Sequence, residues 1–160
     1  MTKPLIIIRK ASEEDFSEVL EVHKNSIREV ASKDHNQAQV SAWSDHLKVD
    51  GFLNAKGNGE DFFVAVEGHK IIGFSSIKED KIMAIYVAKI GIGKGVGVKL
   101  YYTLEKQAKK RGYSQLSLTS SLTARGFYKK LGFIETEEIA HRFKAGAVVR
   151  AFRTVKKIHL

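Results

Sequence analysis

The segment IYVAKIGIGKGVGVKL, residues 85–100, decides the fold more than any other stretch of the chain. Its β-branched start predicts a strand, and the apolar spacing after the glycines predicts a helix. Between the two, glycine occupies positions 91, 93, 95 and 97. Glycine lets backbone N–H groups approach a ligand, and a helix start presents unpaired N–H groups at the positive end of its dipole. The segment therefore predicts a strand–loop–helix site for a phosphate or pyrophosphate.

The glycine spacing excludes two common nucleotide-binding motifs. A Walker loop requires Gly, four residues and then Gly-Lys-Ser/Thr, but Val96 and Val98 stand five residues after Gly91 and Gly93. The dinucleotide-binding motif G-x-G-x-x-G is absent as well, because the same two valines stand where it requires its third glycine. A flexible turn before an ordinary helix is the simpler interpretation. Four glycines exceed what a turn needs, however, and each costs conformational entropy on folding.

The segment resembles motif A of the GNAT superfamily of acyl-CoA N-acyltransferases. In that motif an apolar strand and Val-x-Pro precede Gln/Arg-x-x-Gly-x-Gly/Ala and a helix. Gly95 and Gly97 match the two small-residue positions, and Leu100 matches a leucine in the helix. Two positions depart from the motif, because Lys89 stands at the proline and Ile92 at the Gln/Arg.

A second resemblance follows downstream, in the order that the family has. Residues 121–133, SLTARGFYKKLGF, are similar to motif B, Asn-x-x-Ala-x-x-Phe-Tyr-x-x-x-Gly-Phe, with Ser121 at the asparagine. Two motifs in the correct order identify the chain as a member of the superfamily. The resemblance covers residues 72–133 well, and the two ends match only in their coarse pattern.

The resemblance implies a fold and a set of site residues. The fold is α/β (α+β), a mixed central β-sheet flanked by helices. The cosubstrate is acetyl-CoA, with its pyrophosphate on the glycine loop and its pantetheine arm along the preceding strand, which splays from the next one. The residues expected to contact it are Ile85, Tyr86, Val87, Ile92, Gly93, Lys94, Gly95, Val96, Gly97 and Ser121.

In the resemblance, Tyr128 stands where the family places the general acid for the coenzyme A thiolate. A phenol with a pKa of about 10 is protonated at neutral pH. We expect Phe127 to take the core position and Tyr128 to supply the acid. Ser121 equally well caps the short helix that follows it. No general base is assigned, because the candidates also fit turn, packing or surface positions: His23, His35, His46, Glu79 and Asp80.

Length and composition limit the number of domains, the kinds of site and the cellular location that we expect. A chain of 160 residues with 43% hydrophobic and 28% charged residues is typical of one globular domain, here residues 1–160. The absence of cysteine excludes disulfides and cysteine-bound metals, and we expect no metal site. No stretch has the length of a signal peptide core or a membrane span, so we expect a cytoplasmic protein. A net charge of +9 would attract a polyanion such as coenzyme A.

Periodicity and turn residues predict an element order of β-α-α-β-β-β-α-β-α-β-β, which is also that of the GNAT fold. We predict Gly51–Glu60 to be a loop. The predicted strands are 5–9, 62–67, 71–77, 82–87, 114–119, 134–143 and 147–155. The predicted helices begin at Ser12, lie around 40–47, run from the glycines to Lys110, and cover 123–131.

The leading functional hypothesis is an N-acetyltransferase in which a primary amine of a small molecule or aminoacyl group attacks acetyl-CoA directly, in a ternary complex. A different class is a GNAT-like module that binds acyl-CoA without catalysis, as the departures at Lys89 and Ile92 would allow. A basic nucleic-acid-binding protein is the third class, supported by charge alone and by no motif. The identity of the amine and the existence of a homodimer stay open.

Overall fold

The computed structural model describes residues 5–159, which form one mixed seven-stranded sheet with helices on both faces. The predicted fold class is thereby confirmed. The strands are β1 Ile6–Lys10, β2 Asp61–Glu67, β3 Lys70–Lys78, β4 Lys81–Val87, β5 Gln115–Ser121, β6 Ile134–Arg142 and β7 Val148–Lys157. The helices are α1 Phe16–Glu29, α2 Gln37–Ser44, α3 Val49–Gly57, α4 Val96–Lys110 and α5 Arg125–Lys130.

The strand order β1-β2-β3-β4-β5-β7-β6 contains one parallel contact, between β4 and β5. That contact is confined to one register pair, Lys81 with Ser117, where the Ser117 N–H also donates to the carbonyl of Asp80 at 3.0 Å. Consecutive residues Ser76 and Ile77 of β3 pair with Ala84 and Ile82 of β4, so Met83 between them has no partner. Such an extra residue in one strand is a β-bulge. A bulge bends its strand. Beyond Lys81, β4 and β5 are therefore separated by a gap that opens toward their carboxyl ends.

The core lies on both faces of the sheet. On one face, α1 and α3 pack Phe16, Val19 and Phe52 against Phe62 and Phe74 of β2 and β3. On the other face, α4 buries a stripe against β3, β4 and β5, formed by Val96, Leu100, Tyr101, Leu104 and Ala108. Because neighbouring residues of a strand point to opposite faces, β3 and β4 contribute to both cores. Strand β4 therefore lies between the core on the α1 face and the core on the α4 face.

The predicted loop at Gly51–Glu60 is wrong, because most of it belongs to helix α3. Phe52 is 8% exposed and packs in the α1-face core, with Val49 and Leu53 beside it. Their spacing of three and four residues is helical. Exposed glycine and asparagine residues beside them, at positions 51, 54 and 57, hide the pattern, since both residue types are poor helix formers.

The described residues contain neither a helix that could span a membrane nor a cluster of side chains that could hold a metal ion. No helix within residues 5–159 combines the length and apolar character that crossing a membrane requires. The same part of the chain contains no group of three or more His, Cys, Asp or Glu side chains placed to hold a metal ion.

Candidate active site

The gap between β4 and β5 forms a cleft with a volume of about 370 Å³. Its walls are the carboxyl halves of the two strands, the glycine loop with the start of α4, and the first turn of α5. Among the described residues, those lining the cleft carry no charged side chain. An anion in this cleft would therefore depend on backbone dipoles for its neutralisation.

The glycine loop supplies those dipoles. Within the described chain, the amides of residues 93–98 make no hydrogen bond to a backbone carbonyl. Gly93 and Gly95 have φ angles of +82° and +75°, a left-handed conformation that favours glycine. Gly95 is the N-cap of α4, whose 15 residues end in Lys109 and Lys110. Unpaired N–H groups at the positive end of a long helix are an anion-binding arrangement.

Gly97 is required for a different reason, close packing. A Cβ atom at Gly97 would lie 3.0 Å from Cε1 of Phe127, on the first turn of α5. The absence of a side chain thus lets α5 approach the start of α4 and close one end of the cleft. Phe127 is a cleft residue that we did not predict to line the site.

The exposed edge of β4 provides further backbone groups. The Ala88 N–H donates to the carbonyl of Ile72 on β3 at 2.9 Å. Successive backbone amides of a strand point to opposite edges, so those of Ile85 and Val87 face the gap toward β5. Ile85, Tyr86 and Val87 all line the cleft, as the sequence-based hypothesis requires. An extended ligand arm lying in the gap could pair with this edge.

Tyr128 lines the cleft from α5 and is 6% exposed. Its ring packs edge-on against Phe127 and Phe133, with centroids 5.1 and 5.5 Å away. The expectation that Phe127 is the core residue of the pair is wrong, because Tyr128 is the more deeply buried of the two. Burial, followed by the nearby Tyr86, raises the pKa of Tyr128. The hydroxyl therefore stays protonated at neutral pH.

The other predicted contact residues divide into two groups. Ile92, Gly93, Gly95, Val96, Gly97 and Ser121 line the cleft. Lys94 does not, since its ammonium pairs with Glu67 at 3.0 Å, which leaves its backbone amide as the group available to a phosphate. The Ser121 hydroxyl accepts a hydrogen bond from the Ala124 N–H at 3.2 Å, which stabilises the turn before α5. Ser121 is not the cap of α5, because Ala124 is its N-cap and no side chain caps the helix.

Ile92 gives the first testable prediction. It is 54% exposed at the cleft, so replacement by arginine removes little packing. Ile92→Arg should tighten acetyl-CoA binding about tenfold, because a charged hydrogen bond contributes roughly 1.5–3 kcal/mol, less where water competes. Calorimetry measures the change. Ile90→Arg is the matched control, since Ile90 is 52% exposed and lies outside the cleft. Weaker binding with a lower melting temperature for Ile92→Arg would contradict the alignment of this loop.

A second cavity lies on the α1 face of β4, and we call it the α1-face cavity. Its volume is about 750 Å³, and it shares Trp43, Met83, Ala84 and Tyr86 with the cleft. The remaining walls come from α1, α2, α3, the start of β2 and the β6–β7 hairpin. No sequence motif pointed to it. Its lining residues are separated by more than 100 positions in the chain, from His23 to Phe143.

His23 is the most unusual polar group of this cavity. Its two ring nitrogens are buried and have no hydrogen-bond partner within the described chain. The ring packs against Tyr86, Phe74 and Phe52, with centroids 4.2, 5.4 and 6.0 Å away. Burial, with a smaller contribution from His46, lowers the pKa of His23 to about 4. His23 is therefore neutral at physiological pH.

The lowered pKa of His23 predicts a loss of stability in acid. The unfolded chain binds the proton near pH 6.5 and the folded chain only near pH 4, so folding is disfavoured progressively between these values. The free energy of unfolding should fall by about 3 kcal/mol over this window. Urea unfolding at a series of pH values measures the slope. His23→Phe should flatten it, whereas a matched change at the exposed turn, His69→Gln, should retain it. An unchanged slope in His23→Phe would show that His23 is not the titrating group.

Known structures resemble this arrangement over nearly the whole chain. A GCN5-related N-acetyltransferase from Rhodopseudomonas palustris superposes with a TM-score of 0.89 at 24% identity, covering 99% of each chain. The PaiA N-acetyltransferase from Thermoplasma acidophilum, in complex with coenzyme A, gives 0.78 at 24% identity over 96% of this chain and 99% of its own. The ribosomal-protein-alanine N-acetyltransferase from Brucella melitensis gives 0.73 at 19% identity over 95% and 99%.

Sequence comparisons bear on the family directly. No curated protein sequence matches the chain significantly. The family model described as "Acetyltransferase (GNAT) domain" matches residues 31–148, which include the glycine loop, both cleft strands and α5. These elements build the cleft described above, and the chain belongs to the GNAT acetyltransferase family.

Proposed function

We propose that the protein is an acetyl-CoA-dependent N-acetyltransferase, formed by a single domain over residues 1–160, that acetylates a primary amine of a small molecule or aminoacyl group. The observation that carries this proposal is the row of unpaired amides at residues 93–98, directly beside an open strand edge. One ligand that needs both features is a pyrophosphate joined to a long amide-containing arm. The coenzyme A bound by the Thermoplasma relative is such a molecule.

The residues of the cleft fit the parts of acetyl-CoA in order. The amides of Gly93, Gly95 and Gly97 would receive the pyrophosphate, because they lie at the start of α4. The amides of Ile85 and Val87 would pair with the pantetheine arm along the edge of β4. The uncharged lining suits this arm, which carries amide and apolar groups but no charge.

The chemistry requires a neutral amine, a polarised thioester and a protonated leaving group. The amine attacks the carbonyl carbon of the acetyl thioester, and the C–N bond forms as the C–S bond breaks and the nitrogen releases a proton to solvent. Backbone N–H groups at the β4 edge can stabilise the charge that develops on the carbonyl oxygen. The Tyr128 hydroxyl, kept protonated by burial, would donate its proton to the departing thiolate and regain one from solvent.

A GNAT-like module that binds acyl-CoA without turnover is the competing function. The position of Tyr128 at the cleft favours catalysis, because a binding module has no need for a protonated phenol there. The α1-face cavity, which opens on the other side of β4, favours catalysis as well, since a second substrate needs its own space.

Turnover decides between these functions. The purified protein is incubated with acetyl-CoA and a panel of primary amines, and release of free thiol is measured against reactions without amine. We expect amine-dependent thiol release with at least one member of the panel, together with acetyl-CoA binding by calorimetry. Binding without turnover across a broad panel would favour the binding module, and absence of binding would refute the cofactor assignment.

A further inference from the structure

The α1-face cavity differs from the cofactor cleft in its charge. Two carboxylates, Asp50 and Glu60, line it against one ammonium, Lys48, whereas the whole chain has a net charge of +9. The cavity is thus locally acidic within a strongly basic protein. A fixed negative charge in a partly enclosed site attracts cations and repels anions. This contrast indicates that the ligand of the cavity is positively charged.

Glu60 is the carboxylate that lies deepest in this lining, since Asp50 is exposed and Glu60 is half-buried. The hydroxyl of Ser76, which is fully buried, donates to Oε2 of Glu60 at 2.6 Å. Glu60 takes part in no ion pair of the described chain, and Lys48, the ammonium of the lining, likewise pairs with no carboxylate there. Two other basic residues are engaged elsewhere. Lys56 pairs with Glu13 at 3.9 Å, and Arg111 pairs with Asp61 at 2.6 Å. The Glu60 carboxylate is therefore oriented, yet without a cation.

The rest of the cavity is aromatic. Its floor contains Phe52, Phe62 and Phe74, which are all less than 9% exposed. Its outer wall is formed by Trp43 of α2 and Phe143 of the β6–β7 hairpin, stacked at 6.4 Å with an interplanar angle of 27°. Aromatic faces bind flat apolar groups and also attract cations.

His23 gives an independent indication of a ligand. Its unpartnered ring nitrogens lie among the cavity residues. A buried polar group without a hydrogen bond is destabilising, and such groups in native proteins are commonly satisfied by a ligand or water. A neutral imidazole accepts a hydrogen bond through one nitrogen. Both nitrogens are buried beneath the surface of the cavity, so a ligand ammonium could donate to one of them only after a shift of the ring exposed it.

The α1-face cavity also adjoins the cleft in which the reaction would take place. Trp43, Met83, Ala84 and Tyr86 line both the α1-face cavity and the cleft. A molecule held in the cavity therefore meets the cleft at β4, where the thioester of acetyl-CoA would lie. Once the bound ammonium has lost a proton to solvent, the neutral amine at that junction is placed for attack.

We propose that the α1-face cavity holds the acceptor, and that the acceptor is a monoamine cation on a flat aromatic body, of the arylalkylamine class, with Glu60 as its counter-ion. This inference rests on the proposed function, since it names the amine that the transferase would acetylate. The aromatic body lies between the phenylalanine floor and the wall of Trp43 and Phe143. The one half-buried carboxylate, Glu60, matches one ammonium, and a second ammonium of a polyamine would meet only the exposed Asp50.

Tryptophan fluorescence offers a direct test, because Trp43 is the only tryptophan of the chain and lines the cavity. The wild-type protein, saturated with coenzyme A, is titrated with 2-phenylethylamine, with the uncharged analogue 2-phenylethanol, and with n-propylamine. We expect 2-phenylethylamine to bind about tenfold more tightly than either analogue, since one lacks the charge and the other the ring. Equal binding of 2-phenylethylamine and 2-phenylethanol would overturn the role of the carboxylate. Equal binding of 2-phenylethylamine and n-propylamine would overturn the role of the aromatic walls.

Two variants then assign the charge to its residue. Glu60→Gln keeps an oxygen that can accept from Ser76, so it should fold with a nearly unchanged melting temperature. It should weaken 2-phenylethylamine binding about tenfold and leave 2-phenylethanol binding unchanged. Glu21→Gln, an exposed change on α1, is the matched control and should alter neither. If Glu60→Gln does not fold, the comparison of the three probes on the wild-type protein decides alone.

The outcome separates this inference from the proposed function. Coenzyme A binding with no preference for the charged aromatic amine would refute only the acceptor class. Failure to bind coenzyme A or acetyl-CoA in calorimetry would instead refute the proposed function, whatever the amine does.

Discussion

Gly95→Asp is expected to weaken acetyl-CoA binding by a hundredfold or more. A Cβ atom at Gly95 meets nothing within 4 Å, so the new carboxylate would stand in the open cleft beside the amides of residues 93–98. At a few ångströms from a pyrophosphate, and with an effective dielectric constant near 20, like charges repel by about 3–4 kcal/mol. That energy corresponds to a loss of affinity of two decades or more. Calorimetry with acetyl-CoA measures the loss directly.

Gly95→Asn separates charge from backbone strain. Position 95 has a φ of +75°, which asparagine and aspartate both tolerate better than other side chains. The two variants should therefore lose similar stability, while asparagine, which has no charge, should reduce affinity by less than about tenfold. Equal losses of affinity would attribute the effect to the loop conformation. Undiminished affinity in a folded aspartate variant would place the cofactor elsewhere.

Local sequence predicts well which residues line the β4 side of the cleft, the proposed cofactor site, because that side is built from consecutive residues. The strand end at 85–87, the loop at 93–97 and the start of α4 follow one another in the chain, so strand, loop and helix signals fix their order. Only Lys94 among these positions is turned away, by its ion pair with Glu67, which lies 27 residues earlier. A pairing of that kind depends on the sheet register, which no local pattern contains.

The α1-face cavity, which is the proposed acceptor site, could not be predicted in the same way. Its walls come from α1, α2, α3 and the β6–β7 hairpin, and its half-buried carboxylate, Glu60, stands between α3 and β2 with no motif around it. The wrong prediction of a loop at Gly51–Glu60 also hid part of the cavity, because Phe52 of helix α3 belongs to the cavity floor. Trp43 has helical spacing relative to Val40 and Leu47, a pattern typical of a core position. Its position at both cavities follows from how α2 docks, which is a tertiary property.

The roles of Phe127 and Tyr128 show a similar limit. Adjacent residues of a helix point about 100° apart, so one of them faces the core and the other does not. The motif names both residues, but the rotation of α5 decides which is deeper. In the structure Tyr128 is buried against Phe133, and Phe127 faces Gly97. Burial does not remove Tyr128 from the cleft, and it raises the pKa that keeps the phenol protonated.

Tyr128→Phe should therefore lower kcat by roughly ten- to a thousandfold and leave acetyl-CoA affinity nearly unchanged. General acid catalysis commonly contributes about two to four decades, and a thiolate is a tolerable leaving group without a proton, so the lower part of the range is expected. Phenylalanine preserves the packing against Phe127 and Phe133, which isolates the effect of the hydroxyl. Single-turnover kinetics with acetyl-CoA and an accepted amine measure the chemical step.

Tyr102→Phe is the matched control, because Tyr102 lies on α4 with 51% of its surface exposed and lies outside the cleft. It should leave the chemical rate unchanged. The raised pKa of Tyr128 adds a second readout: the wild-type rate should show no loss from phenol ionisation up to about pH 10, the pKa of an ordinary tyrosine. A chemical step that is equally fast in Tyr128→Phe would reduce Tyr128 to a packing residue and leave protonation of the thiolate to water.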